Sequence, residues 1–149
     1  MIDQLTTDQI NQVLYRQTIA RLGCAVINKP YIVPISYAFD GKYLYGCSKE
    51  GQKISIMRKN PSVCLEVDQI DNMRSWQCVI IQGKYEEVKT AAEQNRILKF
   101  IRDKFIPLVT STTLVPRGLD ASPHYVEKEK KAVIFKIKIE TMSGRYEKP

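Results

Sequence analysis

The sequence contains a single histidine and only four cysteines, and no two of the cysteines form a C-x-x-C pair. Zinc sites are built from closely spaced cysteine and histidine ligands, so the sequence predicts no metal centre. A disulfide framework is not expected either, because nothing marks the chain for an oxidising compartment. We therefore expect the cysteines to be small buried residues of strands, with Cys47 as the one candidate exception. They are Cys24, Cys47, Cys64 and Cys78.

Long apolar runs are missing too. The longest, such as residues 79–81, fall far short of the ~20 apolar residues that a membrane-spanning helix needs. Residues 1–4 have neither the basic nor the apolar character of a signal peptide. Of the 149 residues, 44% are hydrophobic and 26% are charged, which is ordinary for a globular protein. The sequence predicts one domain over residues 1–149 and a cytoplasmic location.

Familiar catalytic and nucleotide-binding motifs are also absent, because the chain has no G-x-S-x-G, P-loop or G-x-G-x-x-G. His124 follows a proline in a stretch of irregular character, so we expect an exposed bystander rather than a member of a triad. Residue types and spacing therefore assign no catalytic residue. The net charge of +7 favours an anionic partner, which the charge alone leaves open as nucleic acid, a phosphorylated cofactor or an acidic metabolite.

What the chain does contain is a series of short strand patterns separated by turn signals. Asp40-Gly41, between two apolar runs, predicts a hairpin, and Gly83 is a natural bend point in a long strand. Helices are predicted at about 7–16, at about 51–59 and after a capping box at 90–93, with 107–128 irregular. Strands are predicted over about 22–27, 31–39, 42–47, 62–67, 76–89 and 132–140. About six strands with few helices favour an antiparallel barrel over a doubly wound sheet.

The segment from Tyr45 to Lys53 carries a chemical signal. It passes from a strand end through Ser48 and Gly51 to Lys53 at the start of a helix. A serine hydroxyl, free backbone N–H groups and a lysine together can form a phosphate cradle at a helix N-terminus. The alternative is a capped helix with solvated lysines, and the segment by itself does not choose between them.

Several motifs occur together in one order along the chain. They are K-E-G-x-K at 49–53, R-K-N-P-x-V-C-x-E-V-D at 58–68 and S-W-x-x-V-x-x-x-G at 75–83, preceded by R-L-G at 21–23 and V-P-I-S-Y at 33–37. As a set, over roughly residues 5–145, they resemble the pyridoxamine-phosphate-oxidase-like flavoproteins. The similarity is strongest to the nitroimidazole-resistance (Nim-type) branch.

The resemblance implies a mainly β fold with a few helices, namely a six-stranded antiparallel split barrel of the FMN-binding type. It also implies a homodimer with FMN at the interface. In the family pattern, Ser48 and Lys53 match the phosphate-binding segment, and Arg21 adds a second charge. Trp76 and Cys78 match positions that line the flavin ring, although Trp76 also suits a hydrophobic dimer anchor. The implied cofactor-binding residues are Arg21, Pro34, Ile35, Ser36, Tyr37, Cys47, Ser48, Lys53, Trp76 and Cys78.

One departure from the pattern concerns the end of the third strand, where Nim-type relatives usually carry a histidine. Here residues 45–48 read Tyr-Gly-Cys-Ser, so Cys47 is either small filler or a weak donor or redox thiol. The resemblance implies an FMN-dependent oxidoreductase that reduces small flat acceptors such as nitroaromatics with NAD(P)H or another reductant. Loss of the histidine equally allows a flavin-storage or sensing role.

Two alternatives use other ligands. A basic β-barrel could bind nucleic acid if exposed aromatics are interleaved with basic residues. The aromatics available for this are Tyr31, Tyr37, Tyr43 and Tyr45. A relative could also hold haem or a deazaflavin in place of FMN. Oxidation of pyridoxamine phosphate itself is disfavoured, because Arg145 is the only basic residue near the end of the resembling region.

Overall fold

The computed structural model describes residues 1–105 and 132–149, so the predictions for 107–128 and His124 lie outside the described residues. The helices are α1 (Thr7–Arg16), α2 (Gln52–Lys59) and α3 (Ala91–Phe105). The strands are β1 (Ile2–Gln4), β2 (Ile19–Val26), β3 (Lys29–Ser36), β4 (Ala38–Phe39), β5 (Tyr43–Lys49), β6 (Ser62–Asn72), β7 (Ser75–Glu87) and β8 (Ala132–Glu147). None of these helices is long and apolar enough to cross a bilayer.

The strands form one antiparallel sheet in the order β3-β2-β6-β7-β8-β5-β4, with β1 paired to β8. Six strands have seven or more residues, while β1 and β4 are short additions of three and two. The prediction of a mainly β, six-stranded antiparallel split barrel is therefore confirmed. The structure differs from the prediction in the two additional short strands, which have too few residues to show a periodic pattern.

Alternation along the strands fills the barrel interior. On β6, Val63, Leu65 and Val67 are buried and the residues between them face outward. α1 packs against the same core through Ile10, Val13 and Leu14, and its start is fixed by the predicted capping box of Thr6 and Gln9. A second apolar cluster lies where α3 covers the outer side of β5 and β8. It contains Ala38, Tyr45, Val88, Ile97, Ile101, Phe105 and Ile134.

The predicted bend at Gly83 is a β-bulge. The pairing of β7 with β8 slips between Gln82 and Gly83, so that Glu140 of β8 has no partner across the pair. A Cβ at Gly83 would lie 2.5 Å from the carbonyl oxygen of Lys138. Only glycine permits so close an approach of the two backbones, which is why the bend occurs at this residue.

Strands β6 and β8 are longer than predicted. β6 continues to Asn72 and β8 to Glu147, because their polar ends both pair with the start of β7 and, in β8, also with β1. Polar residues give no apolar alternation, so the sequence pattern underestimates such ends. In α3, Glu93 was expected in a capping box but accepts a hydrogen bond from the Lys136 ammonium at 2.8 Å.

The expectation of buried cysteines is wrong for Cys64 and Cys78. Cys24 is buried, but Cys47 and Cys64 are exposed and Cys78 is half-buried. Cys64 and Cys78 lie on the outer face of the sheet, because the residues next to them, Leu65 and Val79, fill the interior. Only Cys24 behaves as small core filler.

Lys104 anchors α3 to the end of α1. Its ammonium donates hydrogen bonds to the carbonyls of Gln17 at 2.7 Å and Tyr37 at 3.1 Å, and lies 4.2 Å from the centre of the Tyr37 ring. Burial lowers the pKa of Lys104 to about 8. Because the unfolded chain keeps an ordinary lysine pKa, the folded state is penalised below pH 8.

We predict that this penalty is relieved as the pH rises from about 8 to 10.5, since the unfolded chain binds more protons across that window. The free energy of unfolding of the wild type should therefore gain about 1 kcal/mol relative to Lys104→Met, a value reduced for partial solvent exposure. Urea unfolding of both proteins at pH 7.5 and 10 measures the difference. A constant difference would contradict the lowered pKa.

Candidate functional site

The N-terminus of α2 provides free backbone donors at the end of β5. Gly51 precedes the helix with extended backbone, and no side chain caps the first turn. No acidic residue lies in that turn, and Lys53 is its second residue. The first N–H groups of a helix lack intrahelical partners and carry positive potential, so this end of α2 suits an anion. The Ser48 hydroxyl, two residues before Glu50, donates to the Lys49 carbonyl at 2.9 Å.

The Lys53 ammonium acts electrostatically on Cys24 of β2. Burial raises the pKa of the Cys24 thiol, with Cys64 adding to the rise and the nearby Lys53 ammonium opposing it. Cys24 also lines a cavity of about 350 Å³ between β2, β3, β6 and β7. The lining includes Gly23, Tyr31, Ile32, Cys64, Gln82 and Glu140.

The predicted segment 34–37 lies at the edge of the sheet. β3 pairs only with β2 among the described strands, so its other side offers backbone groups to a ligand. Pro34 is tolerated there because an edge strand can lack one N–H. Ser36 is exposed, whereas Ile35 packs against the core and Tyr37 is buried, donating its hydroxyl to the Leu14 carbonyl at 2.8 Å.

Arg21 and Cys78 meet on the outer face of the sheet. The Arg21 guanidinium lies 3.0 Å from Asp68 and 3.6 Å from Glu66, and the Cys78 thiol donates to Glu66 at 3.3 Å. Burial and the Glu66 contact raise the pKa of Cys78 to about 12, which keeps the thiol protonated at neutral pH. Trp76, half-buried, lies two residues before Cys78 on the same face.

Seven of the ten predicted residues thus fall into two groups within one chain, while Ile35 and Tyr37 belong to the core. Ser48 belongs to the inward-facing series of β5, and Lys53 lies beside the inward-facing Cys24. Arg21, Pro34, Ser36, Trp76 and Cys78 lie on the opposite, outer face. Cys47 is exposed at the end of β5.

An ion-pair network beside the first group was not predicted. Arg58, in the last turn of α2, donates to both oxygens of Glu50 at 2.9 and 2.7 Å. It also donates to both oxygens of Glu87 at 3.2 and 2.5 Å. These residues are distant in sequence, and no local pattern connects them.

The outer face also carries exposed apolar side chains. Ile32 is 70% exposed, Ile70 66%, Ile19 48% and Ile80 39%, and all four project from the same side of β2, β3, β6 and β7. Exposed apolar side chains grouped on one face are typical of a binding or assembly site, and the ion pairs of Arg21 with Glu66 and Asp68 lie among these four. We call this surface the outer apolar face.

A sequence profile described as pyridoxamine 5'-phosphate oxidase matches residues 6–146, which is nearly the whole chain. The chain belongs to the pyridoxamine 5'-phosphate oxidase family. An uncharacterized protein of Rhizobium meliloti is 31% identical over 141 residues, covering 95% of this chain and 92% of that protein. The family resemblance of the motifs at 49–53, 58–68 and 75–83 is thereby confirmed.

Solved structures give the same fold. A FAD-binding protein from Mesorhizobium loti is 28% identical, with a TM-score of 0.75 over 100% of this chain and 98% of that one. A candidate 5-nitroimidazole antibiotic resistance protein from Bacteroides thetaiotaomicron has a TM-score of 0.75 at 18% identity, covering 98% and 87%. At that identity the second likeness concerns the fold alone.

The aromatic surface that the nucleic-acid alternative needs is not formed in this member of the pyridoxamine 5'-phosphate oxidase family. Tyr37 is 1% exposed and Tyr45 3%, while Tyr31 and Tyr43 are half-buried. The Tyr45 hydroxyl is already bonded to Asp40 at 2.6 Å. Alternating tyrosines here serve packing rather than base stacking.

Proposed function

We propose that the protein binds a flavin, FMN, with its phosphate at the N-terminus of α2. The observation that carries the proposal is the uncapped first turn of α2, which contains Lys53 and no acidic residue. A phosphate monoester carries about −1.5 to −2 charges at neutral pH and forms strong charge-assisted hydrogen bonds. Family membership supports the same assignment.

The residues present fit such a cofactor. Lys53, the free N–H groups of α2 and the Ser48 hydroxyl would bind the phosphate, with Ser48 exchanging its bond to the Lys49 carbonyl. The open edge of β3 would supply backbone groups along the ring. The Mesorhizobium loti relative is named FAD-binding, so FAD is the second candidate and would use the same edge of β3 for its ring.

We further propose that two copies associate through the outer apolar face. Trp76, Cys78 and Arg21 would then approach the flavin held by the other copy, which a single chain does not allow because its own α2 terminus lies on the inner side. Burying the exposed isoleucines gives the association its driving force. The exposed isoleucines thus support the homodimer that the family resemblance implies.

A charge on the outer apolar face should separate the copies. Ile32→Glu places a carboxylate in the proposed interface, where an unpaired buried charge is costly. We expect the wild type to elute as a dimer in light-scattering chromatography and Ile32→Glu as a monomer. Met73→Glu is the matched control, because Met73 is 93% exposed in the turn between β6 and β7. A monomeric wild type would contradict the proposal.

The proposed activity is the reduction of small flat acceptors such as nitroaromatics. When bound, FMN supplies the electron transfer between NAD(P)H and such an acceptor. The chain's own residues bind and orient: Lys53 holds the phosphate end, and the Cys78 thiol, protonated and bonded to Glu66, presents a small uncharged surface. No residue is assigned a proton-transfer role.

An absorption spectrum of protein purified without added cofactor tests the binding proposal. We expect flavin bands, directly or after FMN titration, and mass spectrometry of the released cofactor to separate FMN from FAD. A colourless protein that binds neither FMN nor FAD would overturn the flavin-binding proposal. A haem or deazaflavin spectrum would overturn it as well. Oxidation of NAD(P)H dependent on a nitroaromatic tests the activity, and bound flavin without turnover would favour storage or sensing.

A further inference from the structure

We propose that Arg58 is a positioning residue that keeps the Glu50 carboxylate away from the phosphate end of α2. The inference rests on the proposed function. Its basis is the pair of hydrogen bonds from one guanidinium to both Glu50 oxygens, at 2.9 and 2.7 Å.

The position of Glu50 in the chain creates a conflict. It directly precedes Gly51, so its carboxylate is within reach of the first turn of α2. Carboxylates are favoured at helix N-termini for the same reason that phosphates are. A carboxylate in that place would occupy the free N–H groups and repel a phosphate. The same chain therefore carries an internal competitor for the proposed anion site.

Arg58 resolves the conflict by geometry. It lies in the last turn of α2, and its guanidinium holds the Glu50 carboxylate in a bidentate pair. Bidentate arginine–carboxylate pairs are directionally specific as well as strong. The pair thus engages both carboxylate oxygens and neutralises their charge, and no side chain caps the first turn of α2.

The guanidinium itself is held in place from the core side. Glu87, at the end of β7, accepts from Arg58 at 3.2 and 2.5 Å and is only 21% exposed. The buried Tyr85 hydroxyl also lies near Arg58, Glu50 and Glu87. Arg58 is therefore anchored to the end of β7 by the Glu87 carboxylate and holds the Glu50 carboxylate with the same guanidinium.

The test compares FMN with riboflavin, which lacks the phosphate, by fluorescence titration of the full-length protein. We expect Arg58→Gln to weaken FMN affinity about five- to tenfold, the effect of one released carboxylate near a dianion, with riboflavin affinity unchanged. Glu50→Gln should bind FMN at least as tightly as the wild type. The double variant Arg58→Gln/Glu50→Gln should regain the wild-type affinity, because no competing charge remains.

Lys59→Gln is the matched control, since it removes the same charge from the neighbouring residue of α2 and should leave both affinities unchanged. Equal loss of FMN and riboflavin affinity in Arg58→Gln, or no recovery in the double variant, would overturn the positioning role. If the wild type binds FMN more tightly than riboflavin and Arg58→Gln has the same two affinities, this inference alone is overturned. A wild type that binds neither flavin would overturn the proposed function with it.

Discussion

Replacing Lys53 with alanine is expected to weaken FMN binding by tenfold to a hundredfold while leaving riboflavin binding nearly unchanged. The reason is that Lys53, in the uncapped first turn of α2, would donate to a phosphate that riboflavin lacks. A hydrogen bond between charged groups contributes about 1.5–3 kcal/mol, which corresponds to this range of affinity. Fluorescence titration at fixed ionic strength measures both constants.

The control for Lys53→Ala is Lys59→Ala, which removes the same charge from the other end of the helix. Lys59 is exposed in the last turn of α2, so its loss should change FMN affinity less than twofold. Raising the salt concentration should reduce the difference between wild type and Lys53→Ala, because screening weakens the contact. Equal affinity of Lys53→Ala and the wild type for FMN would place the phosphate elsewhere.

The largest stability effect is expected from Gly83→Ala. The new methyl group would lie 2.5 Å from the Lys138 carbonyl oxygen and 2.8 Å from Ile137, so the backbones of β7 and β8 must separate at the bulge. Overpacking of this kind costs about 1–3 kcal/mol, and a backbone neighbour that cannot rotate away places this variant at the upper end. For a domain of this size we expect a fall in Tm of about 6–12 °C.

Gly51→Ala is the matched control for that variant. Its backbone is extended, and a Cβ there would have no neighbour closer than 4.0 Å, so the Tm should stay within about 2 °C of the wild type. Thermal unfolding followed by circular dichroism compares the three proteins. A Gly83→Ala protein as stable as Gly51→Ala would mean that the bulge does not require glycine.

The helices and hairpins were predictable because their signals are local. The capping residues Thr6 and Gln9 fixed the start of α1, and Asp40-Gly41 fixed a turn in which Asp40 accepts from the backbone N–H groups of Lys42 and Tyr43 at 2.8 Å. Such signals depend on residues two to four positions apart. The motifs that resemble the family then predicted the split barrel and the region of the candidate phosphate site.

The surroundings of the site depend on strand register, which is not local. Cys64 has apolar neighbours on both sides, Val63 and Leu65, so alternation could not tell which face it occupies. The sequence suggests that the Arg21 guanidinium is available to a phosphate. The pairing of β2 with β6 instead places it in ion pairs with Glu66 and Asp68. Its role as a phosphate contact remains a prediction.

Native mass spectrometry of the protein titrated with FMN tests whether a flavin is held between two copies of this chain. We expect a dimer that reaches a mass increase of two FMN, with no flavin on any monomer that forms. A monomer that binds FMN as well as the dimer does, or a dimer that takes up none, would contradict this expectation.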